Sequence, residues 1–476
     1  MAKTKLIEKI GYGFGDMSSS TFWKIFSYYL PFFYSNIFGL SLIDAGVLVL
    51  VTRIWDAVSD PMMGIISDRT NTKWGKYRPY LLWVAPFFSI CGILLFTTPD
   101  WNYGAKLIWA YITYILMMTV YTGINVPYGA MLGVMTDDSN EKTVFSSFRM
   151  FFAYGGSFLA LFLWEPLTDF VVGAPIGSHQ GYNSPDGWFW GMVVVAAACF
   201  VMFILCFLLT REHLKTVSTV SVGDDFKSLL SNKPWWLLIG AALCSNLFNT
   251  VRGATVAYFF QDIIGPGVSL SFDIVFVVSF LFYSGLFLGV GEASNMAGVA
   301  LCVPIANKLG KKTTFIFVNA VLVVLSIAFF FVPCTPGGFW TMLVLQVVIS
   351  VFTGIMSPLI WSMYADVSDY AELKYNTAST GLIFSSASMA QKFGGAIGGA
   401  AVLWLLSGFG YVTDAEQLAA GVVQPESALT VLRWLMSFIP AMVAALAIIV
   451  VWFYPLTTER VQEINAELKK AREYDA

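Results

Sequence analysis

Three charged residues lie inside an apolar stretch of the chain where a membrane-spanning helix is expected. Arg53, Asp56 and Asp60 are three and four residues apart, so a helix would present them on one face. Two carboxylates one turn apart repel each other unless a cation lies between them or one of them takes a proton. Oxygen ligands from Asp56 and Asp60, with a hydroxyl from Ser59 or Thr122, could therefore bind Na⁺, Li⁺ or H⁺. The alternative is a buried Arg53–Asp56 ion pair that only joins helices.

The composition indicates an integral membrane protein. Of 476 residues, 57% are hydrophobic and 12% are charged, and the mean hydropathy of +0.70 is too high for a soluble domain. A charge at the centre of a bilayer costs about 2.5 to 3.5 kcal/mol, so the helix charges must find partners inside the protein. The net charge of −3 offers no basic surface for nucleic acid. Two histidines and six scattered cysteines favour no metal or redox cofactor, and a coupling ion is the one small ion expected.

About twelve apolar runs of spanning length follow one another along the chain. Their centres are expected near Tyr28, Ala57, Ile90, Met117, Ser157, Ala198, Leu247, Val290, Leu322, Val351, Ala396 and Ala441. The longest polar break predicts an N-terminal six-helix bundle with the cation site (1–210), a central loop (211–233), a C-terminal six-helix bundle (234–456) and a tail (457–476). The stretch 272–307 is too long for one span, so an interfacial or re-entrant piece is expected before the eighth helix.

Lysines and arginines are concentrated in alternate loops, which predicts the orientation of the chain. They precede the first span and follow the second, fourth, eighth, tenth and twelfth, and they fill the central break, whereas the opposite loops carry almost only Lys106 and several acids. Both termini are therefore expected in the cytoplasm, with the chain crossing the cell (inner) membrane many times.

The two halves of the chain also resemble each other. "GIISDRTNTKWGKYRP" after the second span has a weaker counterpart in "CVPIANKLGKKTTF" after the eighth. Parallel six-helix repeats with a basic turn after the second helix resemble the major facilitator superfamily, whose substrate site lies between the halves near the midplane. The resemblance implies an all-α fold of twelve transmembrane helices in two six-helix bundles.

Longer matches resemble one family within that superfamily. "RIWDAVSDPMMG" followed by "WGKYRP" is similar to the signature of the glycoside, pentoside and hexuronide cation symporters, which include the melibiose and glucuronide permeases. "GYGFGD", "YTGINVPYG", "ADVSDYAELK", "QKFGGAIGG" and "WFYPLT" follow in the family's order, so the resemblance covers nearly the whole chain.

The resemblance implies a cation site in the second helix. The paired acids that bind the coupling cation in the family correspond to Asp56 and Asp60, which would be the metal ligands if the ion is Na⁺, with Ser59 and Thr122 beside them. The sodium-coupled melibiose permeases usually have an amide where Ser59 stands, which favours a weaker Na⁺ site or a proton site here. The eleventh-helix lysine of the family matches Lys392, whose ammonium would compensate the acids when the cation is absent.

The sugar site departs from the melibiose pattern. Ser19 and Ser20 stand where the melibiose permeases carry a Lys-Asp pair, and Asn125 stands where they place an acid. Those acids accept hydrogen bonds from a neutral galactoside, so their loss favours the glucuronide and pentoside branch. Tyr121 and Arg149 match family positions on the sugar pathway.

The remaining cations bear on the substrate. Lys24 and Asp16 lie two turns apart in the first helix, where they either bracket a polar ligand with Ser20 or balance each other. Arg149, Lys392 and Lys24 in one cavity favour a hexuronide or acidic glycoside, with a neutral xyloside or β-glycoside as the alternative.

A cytoplasmic gate is expected between the basic loop after the second helix and the end of the tenth. Lys76 and Arg78 are predicted to contact Asp366 and Asp369 when that side is closed, and Arg53 is assigned to the same gating set. The alternative is that the basic residues only set the topology.

The sequence thus predicts a transporter and not an enzyme: cation-coupled (Na⁺ or H⁺) symport of a glycoside into the cytoplasm by alternating access. The predicted partners are a sugar, a monovalent cation and the lipid bilayer. A cation-independent sugar facilitator is one alternative. A Mg²⁺-dependent prenyltransferase using the acids of "DDSNE" (Asp137, Asp138, Glu141) and "DVSDYAE" is a weaker one, because it leaves the second-helix acids without a role.

Overall fold

The computed structural model describes residues 5–136, 139–213, 230–264, 267–269, 280–375, 380–413 and 423–474. The helices of the first half are α1 (Leu6–Phe32), which a π-helical turn (Phe33–Ile37) extends, α2 (Leu42–Arg69), α3 (Arg78–Trp83), α4 (Ala85–Leu95), α5 (Tyr103–Met135), α6 (Ser139–Val171) and α7 (Pro185–Leu209).

The second half begins with α8 (Lys233–Phe259), which a π-helical turn (Phe260–Ile264) extends. It continues with β1 (Gly267–Ser269), β2 (Phe280–Phe282), α9 (Tyr283–Leu309), α10 (Lys311–Phe330), α11 (Gly338–Tyr375), α12 (Thr380–Gly408), α13 (Glu426–Met436), α14 (Phe438–Trp452) and α15 (Thr458–Tyr474). The two strands are antiparallel, with Val268 opposite Leu281. Residues 270–279 lie outside the described residues, so the interfacial piece predicted there stays a prediction.

The polytopic all-α fold class is confirmed. Eight described segments are long and apolar enough to cross a membrane: α5, α6, α7, α9, α10, α11, α12, and α13 with α14. The helices α1, α2 and α8 are also long enough to cross a membrane, and α3 with α4 forms a further broken apolar helix. Every predicted span centre falls within one of these helices.

The described residues form two compact units. The first takes in 1–218, 256–293 and 402–429, and the second 219–255, 294–401 and 430–476. Four helices, α8, α9, α12 and α13, therefore contribute residues to both units. The predicted central loop lies mostly outside the described residues.

Small residues set how closely α1 approaches its neighbours in the first unit. A Cβ at Gly156 of α6 would lie 2.6 Å from the carbonyl oxygen of Met17, and a Cβ at Gly13 would lie 2.6 Å from the Phe152 ring. Tyr12 and Tyr128 stack between α1 and α5, with ring centroids 4.7 Å apart. This close packing fixes the polar face of α1 against α5 and α6.

Two glycines allow an equally close helix crossing in the second unit. A Cβ at Gly354 of α11 would overlap the carbonyl oxygen of Asn295, and one at Gly298 of α9 would overlap that of Val351. The Thr353 hydroxyl donates to Asn295 Oδ1 at the same crossing, 2.9 Å away. Contact of this kind is how small residues hold membrane helices together.

Gly354→Ala is expected to lower the stability of the protein. The added methyl group forces the α9 and α11 backbones apart, and overpacking of this kind costs about 1–3 kcal/mol. The thermal unfolding midpoint in detergent measures the effect. Gly155→Ala on α6 is the matched control, because no heavy atom of the described residues lies within 4 Å of a Cβ there. Equal midpoints for the two variants would contradict the crossing as described.

Candidate cation and sugar site

The structure brings the four predicted cation ligands together between α2 and α5. The Thr122 hydroxyl lies 3.2 Å from Asp56 Oδ1 and 2.8 Å from Asp60 Oδ1, between the two carboxylates. Ser59 Oγ lies 3.4 Å from Thr122 Oγ1 and donates to the backbone carbonyl of Asp56. Asp56 is 0% exposed, and Ser59 and Thr122 are buried. The spacing read from the sequence therefore corresponds to one cluster of oxygen atoms.

The chemistry of this cluster suits a small cation. A single hydroxyl proton is placed between two carboxylate oxygens and can donate fully to only one of them at a time. Two carboxylates held this close in a buried setting need a proton or cation to offset their repulsion. The donor set is oxygen throughout, which is what a hard monovalent ion prefers.

Arg53 contacts both this cluster and the aromatic ring of Trp23. Its guanidinium lies 3.6 Å from Asp56 Oδ2 and 4.6 Å above the ring centre of Trp23. The Tyr121 ring also packs against Trp23, with the two ring centroids 5.0 Å apart. The predicted Arg53–Asp56 pair is therefore present, but 3.6 Å exceeds a good hydrogen-bond length and Arg53 is 5% exposed. A loosely held buried pair of this kind can be rearranged by a competing cation.

Ser20 and Asn125, two predicted sugar-pathway residues, lie one turn from Trp23 on α1 and from Tyr121 on α5, which contact each other. Tyr121 is buried beside Trp23, and Ser20 and Asn125 are half-buried. Within the described residues neither the Ser20 hydroxyl nor the Asn125 amide is hydrogen-bonded to another side chain. Both groups are thus able to donate to and accept from a ligand.

Asp16 and Arg149 form an ion pair across α1 and α6. Arg149 Nε donates to Asp16 Oδ2 at 2.9 Å, and the guanidinium lies 5.4 Å from the ring centre of Tyr128. Asp16 and Lys24 therefore do not balance each other, which was one of the two alternatives for them. Each has a partner on another helix because their side chains, two turns apart, cannot meet.

Lys24 is paired with an acid that the sequence analysis missed. Its ammonium donates to Glu292 Oε1 on α9 at 2.5 Å and lies 3.4 Å from the Tyr28 hydroxyl. Glycines bring α9 this close, since a Cβ at Gly285 would lie 3.0 Å from the Leu161 carbonyl and one at Gly289 3.1 Å from Phe162 Cβ. An acid within an apolar run, as in "GVGEAS", is the signal that could have revealed Glu292.

The basic loop after α2 binds an acidic residue of the same unit, Glu212. Glu212 accepts hydrogen bonds from the backbone amides of Lys76, Tyr77 and Arg78, each 2.7 Å away. Arg78 Nε donates to the Phe207 carbonyl at 2.8 Å. Gly75, at φ 115°, makes room for the Glu212 carboxylate. In this structure the loop is thus organised around Glu212.

Asp366, a predicted gate residue in the second unit, is paired with a lysine of the same unit. Lys311 donates to both carboxylate oxygens of Asp366 at 2.7 Å. Asp369 lies one turn further along α11, and Lys392 is half-buried on α12. Asp137 and Asp138 of the enzyme alternative lie outside the described residues.

A second buried acid, also missed from the sequence, joins helices at the opposite end of the first unit. Glu165 of α6 accepts a hydrogen bond from the Tyr29 hydroxyl of α1 at 3.0 Å and another from Ser284 at the start of α9. Nearby, the Ser35 and Tyr258 hydroxyls lie 2.7 Å apart, and Tyr411 donates to Asp262 at 2.5 Å. We call the contact of Glu165 with Tyr29 and Ser284 the Glu165 clasp. It ties α9 to α1 and α6.

Comparison with known proteins assigns the family. The chain matches the model of the MFS/sugar transport protein family over residues 11–458. It is 33% identical to the inner membrane symporter YicJ of Escherichia coli over 98% of this chain and 95% of that protein. The putative glycoside/cation symporter YagG of the same organism is 33% identical over 99% and 96%. The isoprimeverose transporter of Lactiplantibacillus pentosus is 31% identical over 87% and 82%.

Solved structures agree at the level of the fold. The nucleoside transporter NupG superposes with a TM-score of 0.63 at 13% identity, covering 94% of this chain and all of that one. The family places the chain among transporters, which removes the prenyltransferase alternative. The chain belongs to the MFS/sugar transport family, within the glycoside–pentoside–hexuronide:cation symporter group of membrane transporters.

Proposed function

We propose that this protein imports a glycoside together with Na⁺ or H⁺, and that Asp56, Asp60, Ser59 and Thr122 hold the ion. One observation carries the proposal: the Thr122 hydroxyl lies between oxygens of the buried Asp56 and the half-buried Asp60, beside a loosely paired Arg53. The similarity to a putative glycoside/cation symporter supports the coupling to a cation.

Arg53 provides a route from the ion to the sugar. When the cation site is empty, the guanidinium offsets part of the acid charge and lies over Trp23. A bound cation takes over that role and weakens the hold of Asp56 on Arg53. Trp23 and Tyr121 are then free to shift toward the sugar, because Arg53 contacts the ring that Tyr121 packs against. Coupling is reciprocal, so sugar binding raises cation affinity by the same factor.

The sugar is proposed to contact Asn125, Ser20 and Tyr121, because Ser20 and Asn125 make no hydrogen bond within the described part of the chain and Tyr121 offers an aromatic ring. Lys24 and Arg149 border it as members of ion pairs. Lys392 is proposed to balance the acids when the cation leaves. Arg53, Lys76, Arg78, Asp366 and Asp369 are proposed to form the cytoplasmic gate. Both termini are proposed to lie in the cytoplasm.

Uptake into proteoliposomes tests the proposal. A labelled aryl β-xyloside and a labelled aryl β-glucuronide are each supplied with an inward Na⁺ gradient, an inward H⁺ gradient or no gradient. We expect one of the two gradients to drive accumulation above equilibrium for at least one glycoside. Equilibration that ignores both gradients would favour the cation-independent facilitator, and no entry of either glycoside would overturn the proposal.

A further inference from the structure

The pair of Lys24 and Glu292 has unused hydrogen-bonding capacity of a particular kind. The ammonium of Lys24 has three N–H groups, and two of them are directed at Glu292 and Tyr28. Glu292 Oε1 accepts from Lys24, while Oε2 is buried and makes no hydrogen bond within the described residues. The pair thus offers one donor and one acceptor side by side.

A ligand can reach the pair at Lys24. The Lys24 side chain is 23% exposed, whereas that of Glu292 is 5% exposed. Ser20, one turn before Lys24 on the same face of α1, is half-buried and has no hydrogen-bond partner among the described residues. A buried carboxylate oxygen left unsatisfied costs free energy, which a hydroxyl group of a ligand would recover.

The charges of this region cancel. Lys24 is matched by Glu292, and Arg149 is matched by Asp16, each within hydrogen-bonding distance. A uronide carboxylate that approached Lys24 would either lie against Glu292 or displace it and leave a buried carboxylate without a counter-ion. Both outcomes are unfavourable. The expectation of an acidic substrate rested on unpaired cations in the cavity. Lys24 and Arg149 are each paired with an acid, so they no longer support it.

We infer that Glu292 is a specificity-determining residue that selects neutral glycosides, by accepting a hydrogen bond from a sugar hydroxyl while Lys24 donates to a neighbouring one, and by repelling uronides. The inference rests on the proposed function, since it assigns the substrate class of that sugar site. It differs from the melibiose pattern noted above, in which acids of the first and fourth helices accept these hydrogen bonds.

A charge series at the pair provides the test. Counterflow of a labelled aryl β-xyloside is measured in proteoliposomes for the wild type, Lys24→Gln, Glu292→Gln and the double variant, with unlabelled aryl β-glucoside or aryl β-glucuronide as competitor. Counterflow needs no ion gradient, so with Na⁺ and pH equal on both sides it can be measured before the coupling ion is identified. Glu459→Gln on α15 is the control, because Glu459 is exposed.

The expected readout is the ratio of glucuronide to glucoside inhibition. We expect the glucoside to be preferred by about tenfold or more in the wild type, because the glucuronide meets a buried like charge. Glu292→Gln should shift the ratio toward the glucuronide by at least about tenfold, since Lys24 is then unmatched, and the double variant should be intermediate. In Lys24→Gln, the glucuronide should remain a weaker competitor than the glucoside.

Two results would overturn the inference. If wild-type protein accepts the glucuronide as well as the glucoside, the selection is absent although the proposed symport stands. If all variants slow every sugar alike and leave the ratio unchanged, Glu292 only joins helices. If the wild type shows no counterflow of the xyloside and no uptake of the xyloside or the glucuronide under any gradient, the proposed function itself has failed.

Discussion

Asp60→Asn is expected to abolish gradient-driven accumulation of the glycoside while leaving downhill entry measurable. The substitution keeps the size of the side chain and one oxygen atom but removes the charge that balances a cation. A tenfold ion gradient stores about 1.4 kcal/mol, so one-to-one coupling allows about tenfold accumulation in the wild type, and loss of the ion site should return this to equilibrium. Steady-state uptake into proteoliposomes under the effective gradient measures the ratio.

Asp60 is the better choice than Asp56 for this test. Asp56 is fully buried and is the partner of Arg53, so Asp56→Asn would leave a buried guanidinium without that partner and destabilise the fold by about 3–5 kcal/mol. Asp60 is half-buried and shares the Thr122 hydroxyl. Asp100→Asn, in an exposed loop, is the control for removal of an acid. Full accumulation by Asp60→Asn would mean that this carboxylate does not hold the ion.

Glu165→Ala is expected to open the end of the first unit that the Glu165 clasp closes. The substitution removes both hydrogen bonds to a buried carboxylate, and bonds to charged groups contribute about 1.5–3 kcal/mol each. When one of the two alternating states loses about 3 kcal/mol of stability, the ratio of the two populations shifts by about a hundredfold. Glu165→Gln should shift it less, because the amide oxygen can still accept one of these bonds.

A cysteine at position 257 reports this opening. Ala257 lines a cavity of about 270 Å³ beside Glu165, Tyr182, Gln261 and Ser284, and it is 3% exposed in the structure. We expect maleimide labelling of Ala257→Cys to be at least about tenfold faster with Glu165→Ala. Protein without the new cysteine gives the background from the six native cysteines. Identical labelling rates with and without Glu165 would show that the clasp does not hold this end closed.

Much of the architecture was predictable because the bilayer restricts what a chain can do. Each spanning segment must be a long apolar helix, since backbone groups find no water in the membrane. All twelve predicted centres therefore fall within helices of the structure. The charged cluster of α2 was predictable for a related reason: Arg53, Asp56 and Asp60 share one helix face by their spacing alone, and charges at that depth need partners.

The pairing of charges between helices followed only from the tertiary structure. Sequence analysis left Lys24 either as a ligand contact or as a partner of Asp16, and it gave no role to Glu292 or Glu165. The actual partners are distant in sequence: Lys24 and Glu292 are 268 residues apart, and Tyr29 and Glu165 are 136 apart. Lys24 and Glu292 meet because glycines at 285 and 289 let α9 approach α6 closely, and that approach is a property of packed helices.

The loop after α2 is another place where the sequence predicted one property and the tertiary structure added a second. Its positive charge was evident in the sequence and predicted a cytoplasmic gate. The structure adds that its backbone amides, and not its charged side chains alone, hold Glu212 from the end of α7. Sequence by itself thus determined the fold class, the family and the acid pair of α2, because spacing along one helix is local. Tertiary structure decided which charges neutralise each other, because that depends on which helices lie within a few ångströms.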